Sequence, residues 1–301
     1  MPRCCSKESV INIAGNRFCK EHFTKHFEKS VAKVLSRVKR SKVLAAVSGG
    51  KDSLAMLIAI SKLKERFDIE VTACFIHLGI KGSSENGLKI VKNACNTLGV
   101  KLVTFDMKKE LGFSIDEVAK LKLRRAVCSS CGMVKRYLLN KLAFESGFDY
   151  VATGHNLEDG ASLLFINLSA QNIEQILRMG CCIPGDKLLK LAGRIKPLCY
   201  CTEREARLYC ELHSIQYLTL ECPYSKNVLQ HKLKLIIEMF EGTLPNFRIN
   251  LVKSFKKLRK LIQVETDSSV AACQRCGYPT TSGVCSFCRL LEMIKNDKTT
   301  R

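Results

Sequence analysis

This chain lacks the features that would place it in a membrane or on a secretory route. It holds no run of eighteen or more apolar residues, the length that reads as a membrane-spanning helix. Its first residues, MPRCCSKESV, contain no apolar stretch of the kind a signal peptide carries. A lipidation motif and a basic juxtamembrane segment are missing as well. Acidic residues are scarce: 28 Asp and Glu stand against 49 Lys and Arg, a formal charge of +21. Such an excess repels itself in a folded chain and implies a polyanionic partner, with nucleic acid ahead of an anionic membrane surface. The expectation is a soluble, cytoplasmic protein with no membrane partner.

Apolar residues and cysteine are plentiful. Hydrophobic residues make up 46% of the 301, enough for a real core and against global disorder. That length favours one main domain with smaller appendages. The 17 cysteines, in a reducing compartment, are not staples, and their CxxC pairs favour metal or redox chemistry. The pairs are Cys128/Cys131, Cys273/Cys276 and Cys285/Cys288. The two C-terminal ones are separated by eight residues, and four thiolates in two knuckles suit a tetrahedral zinc ion.

Between the cysteine groups the chain alternates strand and helix. Lys42 to Val47 reads as a buried strand after a basic helical run at 30–40, and Leu54, Leu57, Ile58 and Leu63 then recur at helical spacing. Glu70–His77, Lys101–Asp106 and Tyr150–Thr153 are further strands, with helices at 84–98, 131–146 and 158–169. This pattern predicts an α/β fold with a doubly wound, mostly parallel sheet. Later come a helix at 203–213, an extended Gln216–Leu220, and a basic helical stretch over 228–262. In that stretch Leu251, Phe255, Leu258 and Ile262 form one stripe, while Lys253, Lys256, Lys257, Arg259 and Lys260 lie elsewhere; for any single lysine a solvated face suffices. The boundaries drawn are an N-terminal zinc-finger-like module at 1–29, a catalytic domain at 30–220, a helical basic extension at 221–268 and a C-terminal zinc finger at 269–295.

The segment Ser48-Gly49-Gly50-Lys51-Asp52-Ser53 joins the first strand of this alternation to its helix. Glycines there let the backbone approach an anion, free N–H groups at the helix start point toward it, and Lys51 adds a full charge. It is neither a Walker A loop nor a GxGxxG turn. It resembles the SGGxDS pyrophosphate loop of the PP-loop, or ATP-pyrophosphatase, superfamily. A second phrase, Gly154-His155-Asn156-Leu157-Glu158-Asp159, resembles the GHNxDD segment of that superfamily's tRNA-thiolating branch, with Glu158 in place of the first Asp. Cys128-Ser129-Ser130-Cys131-Gly132-Met133-Val134-Lys135-Arg136-Tyr137 resembles the same branch's CxxCGxxKRY phrase. In isolation this CxxC is open to redox, zinc or chance readings.

The resemblance covers essentially the whole length and includes Cys222 before Pro223, Cys19-x-x-His22, and Gly277-Tyr278-Pro279 in the C-terminal finger. It implies an ATP-dependent 2-thiouridine synthetase: a uridine is adenylated at O2 and sulfur then replaces that oxygen at C2. It implies ATP with Mg²⁺ at residues 48–53, Gly154 and His155. It further implies a [4Fe-4S] cluster on Cys128, Cys131 and Cys222, the rival being a catalytic disulfide or persulfide pair without a cluster. An N-terminal zinc site on Cys4, Cys5, Cys19 and His22 is also implied, although adjacent Cys4 and Cys5 stand where the family has a CxxC. The catalytic candidates are Lys51, Asp52, Lys135 and Asp159. Asp159 is placed to polarise the base or assist proton removal, and Lys135 either stabilises developing charge or contacts a tRNA phosphate. The expected partners are tRNA, a sulfur donor (a ubiquitin-like sulfur carrier or free sulfide) and a second copy in a homodimer. The target is a T-loop or a wobble uridine, with Cys19-x-x-His22 leaning toward the T-loop type. Two rivals lie outside this reading. A non-enzymatic zinc-finger RNA-binding protein would leave SGGKDS and GHNLED unexplained, and another PP-loop enzyme acting on RNA would leave Cys128, Cys131 and Cys222 unexplained.

Overall fold

In a computed structural model, the described residues are all but 1–4, 6, 14–15, 122–124, 221, 226–228, 262–269 and 300–301. A short hairpin, β1 (Ile11–Ile13) and β2 (Asn16–Phe18), leads into α1 (Lys20–Leu35). The central alternation follows: β3 (Lys42–Ala46), α2 (Lys51–Phe67), β4 (Glu70–His77), α3 (Ser83–Leu98) and β5 (Lys101–Asp106). Two short helices, α4 (Met107–Leu111) and α5 (Ile115–Lys120), precede the long α6 (Val127–Glu145) and β6 (Tyr150–Thr153). Then come α7 (Leu157–Ser169), α8 (Ile173–Leu177), β7 (Cys182–Ile183), β8 (Gly193–Ile195) and α9 (Glu203–Leu212). The chain closes with α10 (Leu229–Thr243), α11 (Phe247–Leu261), β9 (Ala271–Ala272), β10 (Pro279–Thr280) and α12 (Ser286–Thr299).

Six strands form one sheet in the order β5-β4-β3-β6-β8-β7, parallel except where β7 runs against β8. This is the doubly wound α/β arrangement that the strand–helix alternation implies. The order reverses beside β3, so the loop leaving its carboxyl end opens at a topological switch point, where such sheets bind ligands. Helix α2 packs beneath that loop with ten buried residues, among them Leu54, Met56, Leu57, Ile58 and Ile60. Each such side chain contributes roughly 1.5–3 kcal/mol by burial.

The elements differ from the sequence expectation in instructive places. The expected boundary at residue 29 falls inside α1, because Phe23 and Phe27 belong to the main core. Phe27 stacks on Tyr209 of α9 at 4.1 Å, and the Tyr209 hydroxyl donates to Glu28 at 2.9 Å. The expected single helix over 228–262 is two helices. Pro245 cannot continue a helix, and the Glu241 carboxylate accepts from the amides of Asn246 (2.8 Å) and Arg248 (2.9 Å), closing one helix and opening the next. Residues 216–220 join no strand; the Leu218 amide instead donates to the Gly49 carbonyl at 2.8 Å and braces the phosphate loop from behind. The Leu251–Ile262 stripe is only partly covered: Leu258 stays 49% exposed, and Ile262 lies outside the described residues.

Candidate active site

The loop's conformation follows from its glycines. Gly49 has φ +87°, a region costly to a side chain, and a Cβ there would meet the Gly87 backbone at 3.1 Å. Gly50 opens α2, and Ser53 reaches back to close the turn. Its hydroxyl accepts from the Ser48 amide at 3.1 Å and donates to the Gly50 carbonyl at 2.9 Å. The unpaired amides of the first turn of α2 are thereby left for an anion, in the field of the helix dipole.

Residues 154–159 form the opposite wall. A Cβ on Gly154 would lie 2.9 Å from the Asp52 carbonyl carbon and the Ser53 amide nitrogen, so the two motifs touch backbone to backbone. We therefore expect Gly154→Ala to push the loop from its place and cut AMP formation severely, while its melting temperature changes by only a few degrees. Normal turnover in this variant would show that the contact does not matter. Asn156 caps α7 and also donates from its side chain to Asp52 Oδ1 at 3.1 Å. His155 is exposed at the rim, its Nδ1 2.8 Å from the Thr153 hydroxyl.

The charged groups alternate in sign across the cleft. Lys51 Nζ lies 3.1 Å from Asp52 and 3.5 Å from Glu203; Lys234 bridges Glu203 and Asp159, the latter at 2.7 Å. Burial works against the Lys51 charge, but Asp52 and Glu203 outweigh it and raise its pKa. Lys234 is raised in the same way by Asp159 and Glu203 against burial. Burial leaves Asp52 above an ordinary carboxyl despite the neighbouring Lys51. Behind this row, Glu158 pairs with Arg248 at 2.6 Å and accepts from the Glu203 amide at 3.1 Å. Asp159 is thus held on three sides: the Asn156 amide, Gln230 and Lys234. In this arrangement it orders α7 and the wall.

Cys128 and Cys131 occupy the first turns of α6, which starts four residues earlier than the periodicity indicated. Cys222 is electrostatically coupled to both: burial first, then Cys222, raises the Cys128 thiol, and burial likewise dominates at Cys131. The Cys128 thiol donates to the Tyr224 carbonyl at 2.8 Å, and the Tyr224 hydroxyl to Asp116 at 2.8 Å, which ties the Cys222 segment to α5 and α6. Lys135 and Arg136 are exposed one turn further along and act through their charge on both Cys131 and His155. A cavity of about 1610 Å³ meets the loop through Lys51 and Asp52 and runs away between α1, α9, α10 and α11; the three cysteines do not line it.

Two groups have the donor geometry of a single ion. Cys273, Cys276, Cys285 and Cys288 bring their sulfurs within 4.8 Å of one another, which fits tetrahedral zinc. The Cys285 amide donates to Cys273 Sγ at 3.2 Å and the Cys288 amide to Cys285 Sγ at 3.4 Å, bonds that stabilise thiolate ligands. The finger is docked on α6 by Tyr137, stacked on Phe287 at 3.8 Å. At the other end Cys5, Cys19 and His22 form a second group, with Cys19 Sγ 3.3 Å from His22 Nδ1 and 3.5 Å from Cys5 Sγ. Cys4, the fourth ligand expected there, lies outside the described residues.

Sequence reading missed Asn156, Glu203, Lys234 and Arg248. Thr202-x-x-Glu205 signals a helix start but gives no hint that Glu203 faces Lys51, and Lys234 looks like any lysine of a basic helix.

A glycine-rich pyrophosphate loop at a sheet switch point, with a second motif packed on its backbone, defines a nucleotide-activating PP-loop domain. The family model of the PP-loop domain matches residues 23–234. The chain is 36% identical to the tRNA-5-methyluridine(54) 2-sulfurtransferase of Pyrococcus horikoshii over 97% of its own length and 93% of the relative's. It is 35% identical to the protein of that name from Thermus thermophilus over 97% and 91%. The U34-tRNA thiolase NcsA from Methanococcus maripaludis, solved with its [4Fe-4S] cluster, superposes with a TM-score of 0.82 at 27% identity, over 96% of this chain and 94% of that one. The chain belongs to the PP-loop tRNA thiolase family.

Proposed function

We propose that this protein thiolates a tRNA uridine in two steps at the loop and its wall. The uridine O2 attacks the α-phosphorus of ATP, and the bond from that phosphorus to the bridging oxygen breaks to release pyrophosphate. Sulfide then adds to C2, and AMP departs with the former O2. The observation that carries this reading is the contact of Gly154 with Asp52 and Ser53, which sets the second motif directly on the loop's backbone. Lys51 and the α2 amides hold the departing pyrophosphate, with magnesium, and Asp52 keeps Lys51 in position. Lys135 stands where it can meet either charge on the α-phosphate or a tRNA phosphate. Cys128, Cys131 and Cys222 would hold the [4Fe-4S] cluster; three thiolates on four irons leave one iron open to bind sulfide.

The closer identity to the 54-type sulfurtransferases, together with Cys19-x-x-His22, supports the T-loop uridine as the target. Mapping 2-thiouridine by nuclease digestion and mass spectrometry after reaction with whole tRNA tests this. Sulfur in the T-loop is expected, and sulfur confined to the anticodon would assign the wobble type. The sulfur donor on this reading is a ubiquitin-like carrier or free sulfide, and the compartment is the cytoplasm. Among the described residues no helix is long and apolar enough to cross a membrane. Exposed Leu235, Met239 and Phe240 on α10 support a homodimer.

Zinc at the two terminal groups completes the proposal. Cys288→Ser is expected to lose one equivalent of zinc and loosen α12, leaving the PP-loop domain folded. Unchanged metal content would remove zinc from the C-terminal knuckles.

A further inference from the structure

Four more cysteines gather at the far edge of the sheet, outside any motif of the family. Cys182 pairs opposite Ile195, and the Lys196 amide donates to the Cys181 carbonyl at 2.8 Å. The chain then turns, with the Cys199 amide on the Lys196 carbonyl at 3.1 Å, and this pair of backbone bonds sets Cys199 beside Cys181. Arg37, just past α1, places Nη1 3.5 Å from Cys181 Sγ, and the Tyr200 hydroxyl lies 3.8 Å from it. Lys256 of α11 donates to the same hydroxyl at 3.4 Å. The charged and titratable groups brought to this sulfur include Arg37, Lys256, Lys196, Tyr200, Cys199 and Cys182, and the largest influences on it come from Cys199, Tyr200, Arg37 and Lys256.

The four thiols differ sharply in environment. Cys201 is fully buried, and burial first, then the nearby Glu205 and Glu158 carboxylates, hold its thiol protonated. Cys182 is raised by burial and by its neighbour Cys181. The hydrogen bond from Cys199 favours the Cys181 thiolate. Tyr200, Arg37 and Lys256 add to it and outweigh burial, while Cys199 is pushed up in turn. Cys181 and Cys199 are each only half-buried, and their neighbours Arg37, Tyr200 and Lys256 line the cleft. A partly exposed thiolate among cations, beside a second thiol, is the setting of redox-responsive cysteines.

We propose that Cys181 and Cys199 form a peroxide-responsive thiol pair, with Cys181 attacking and Cys199 resolving. The Cys181 thiolate attacks one oxygen of hydrogen peroxide; the O–O bond breaks, and the products are a sulfenic acid and, after proton uptake, water. The Cys199 sulfur then attacks the sulfenic sulfur, the S–O bond breaks and a second water leaves as the disulfide forms. The two thiols lose two electrons and two protons, which the peroxide takes up, and a dithiol reductant reverses the step. The bridge would fix β7 to the turn before Cys201, whose carbonyl accepts the first amide of α7 at 2.9 Å.

The test is peptide mapping of the full-length reduced protein after brief treatment with about one equivalent of hydrogen peroxide. A Cys181–Cys199 linked peptide is expected ahead of any link involving Cys182 or Cys201, and Cys199→Ser should instead leave a sulfenic acid on Cys181 that a dimedone probe traps. Iodoacetamide labelling of Cys181 should already be fast at pH 6 and slow severalfold in Arg37→Met, a change distant from the core. Cys181 remaining an unmodified thiol under peroxide, or labelling only as pH passes the ordinary thiol range of about 8–9, would overturn the proposal.

Discussion

Asp52→Ala is expected to lower tRNA-dependent AMP formation by at least about a hundredfold, the scale of losing one preorganised electrostatic group. Asp52 sits in the first turn of α2, accepts from Asn156 of the opposite wall and holds Lys51 at 3.1 Å. Without it the wall loses its only side-chain bond to the loop among the described residues, and Lys51 swings to Glu203, 3.5 Å away on the cleft side. Lys51→Ala should cost as much, by removing the charge that meets the pyrophosphate. Both side chains lie at the site's surface, outside the apolar core, so thermal melting should move by no more than a few degrees. Isotopic exchange of pyrophosphate into ATP would report the same loss without any sulfur chemistry. A normal rate of AMP release in either variant would mean that adenylation takes place elsewhere.

The second large effect belongs to Cys222→Ser. This cysteine comes from a segment distant in sequence and meets Cys128 and Cys131 through the Cys128–Tyr224 bond. If the three thiols hold an iron–sulfur cluster, removing one leaves two, too few to retain it. The variant, reconstituted without oxygen, should lose the brown chromophore, most iron and sulfide, and thiolation, while tRNA binding and adenylation persist. Cys210→Ser should keep the chromophore and the iron, since Cys210 lies on α9 apart from the three motif cysteines, and the serine hydroxyl can keep its bond to the Lys51 carbonyl. Thiolation by an iron-free preparation would favour a persulfide on Cys128 or Cys131.

The parts of this molecule legible in the sequence were those fixed by local pattern. The strand before Ser48, the loop itself and the helix behind it follow from apolar runs, glycines and spacing, and so does the four-thiol knuckle. What stayed hidden depends on which distant faces meet. Nothing local shows that Glu203 and Lys234 close a charged row across the cleft, or that Asp159 is engaged by it. A module boundary at residue 29 cuts α1 because Phe23 and Phe27 find their core in the main domain, Phe27 on Tyr209 of α9, nearly two hundred residues away in the chain. Nothing local sets Cys181 apart either, since Arg37 and Tyr200 reach it only through the packing of α1 and the antiparallel edge strand.

The central claim is that one ATP is split to AMP for each sulfur placed in tRNA. The direct measurement counts AMP and 2-thiouridine in the same anaerobic reaction, with the reconstituted protein, whole tRNA, ATP, magnesium and sulfide. The two should rise together in a ratio near one, and both should vanish in Asp52→Ala, while Cys222→Ser keeps the adenylating step and loses the sulfur. AMP production without any thiolated nucleoside from the wild-type protein, or thiolation without AMP, would contradict the account.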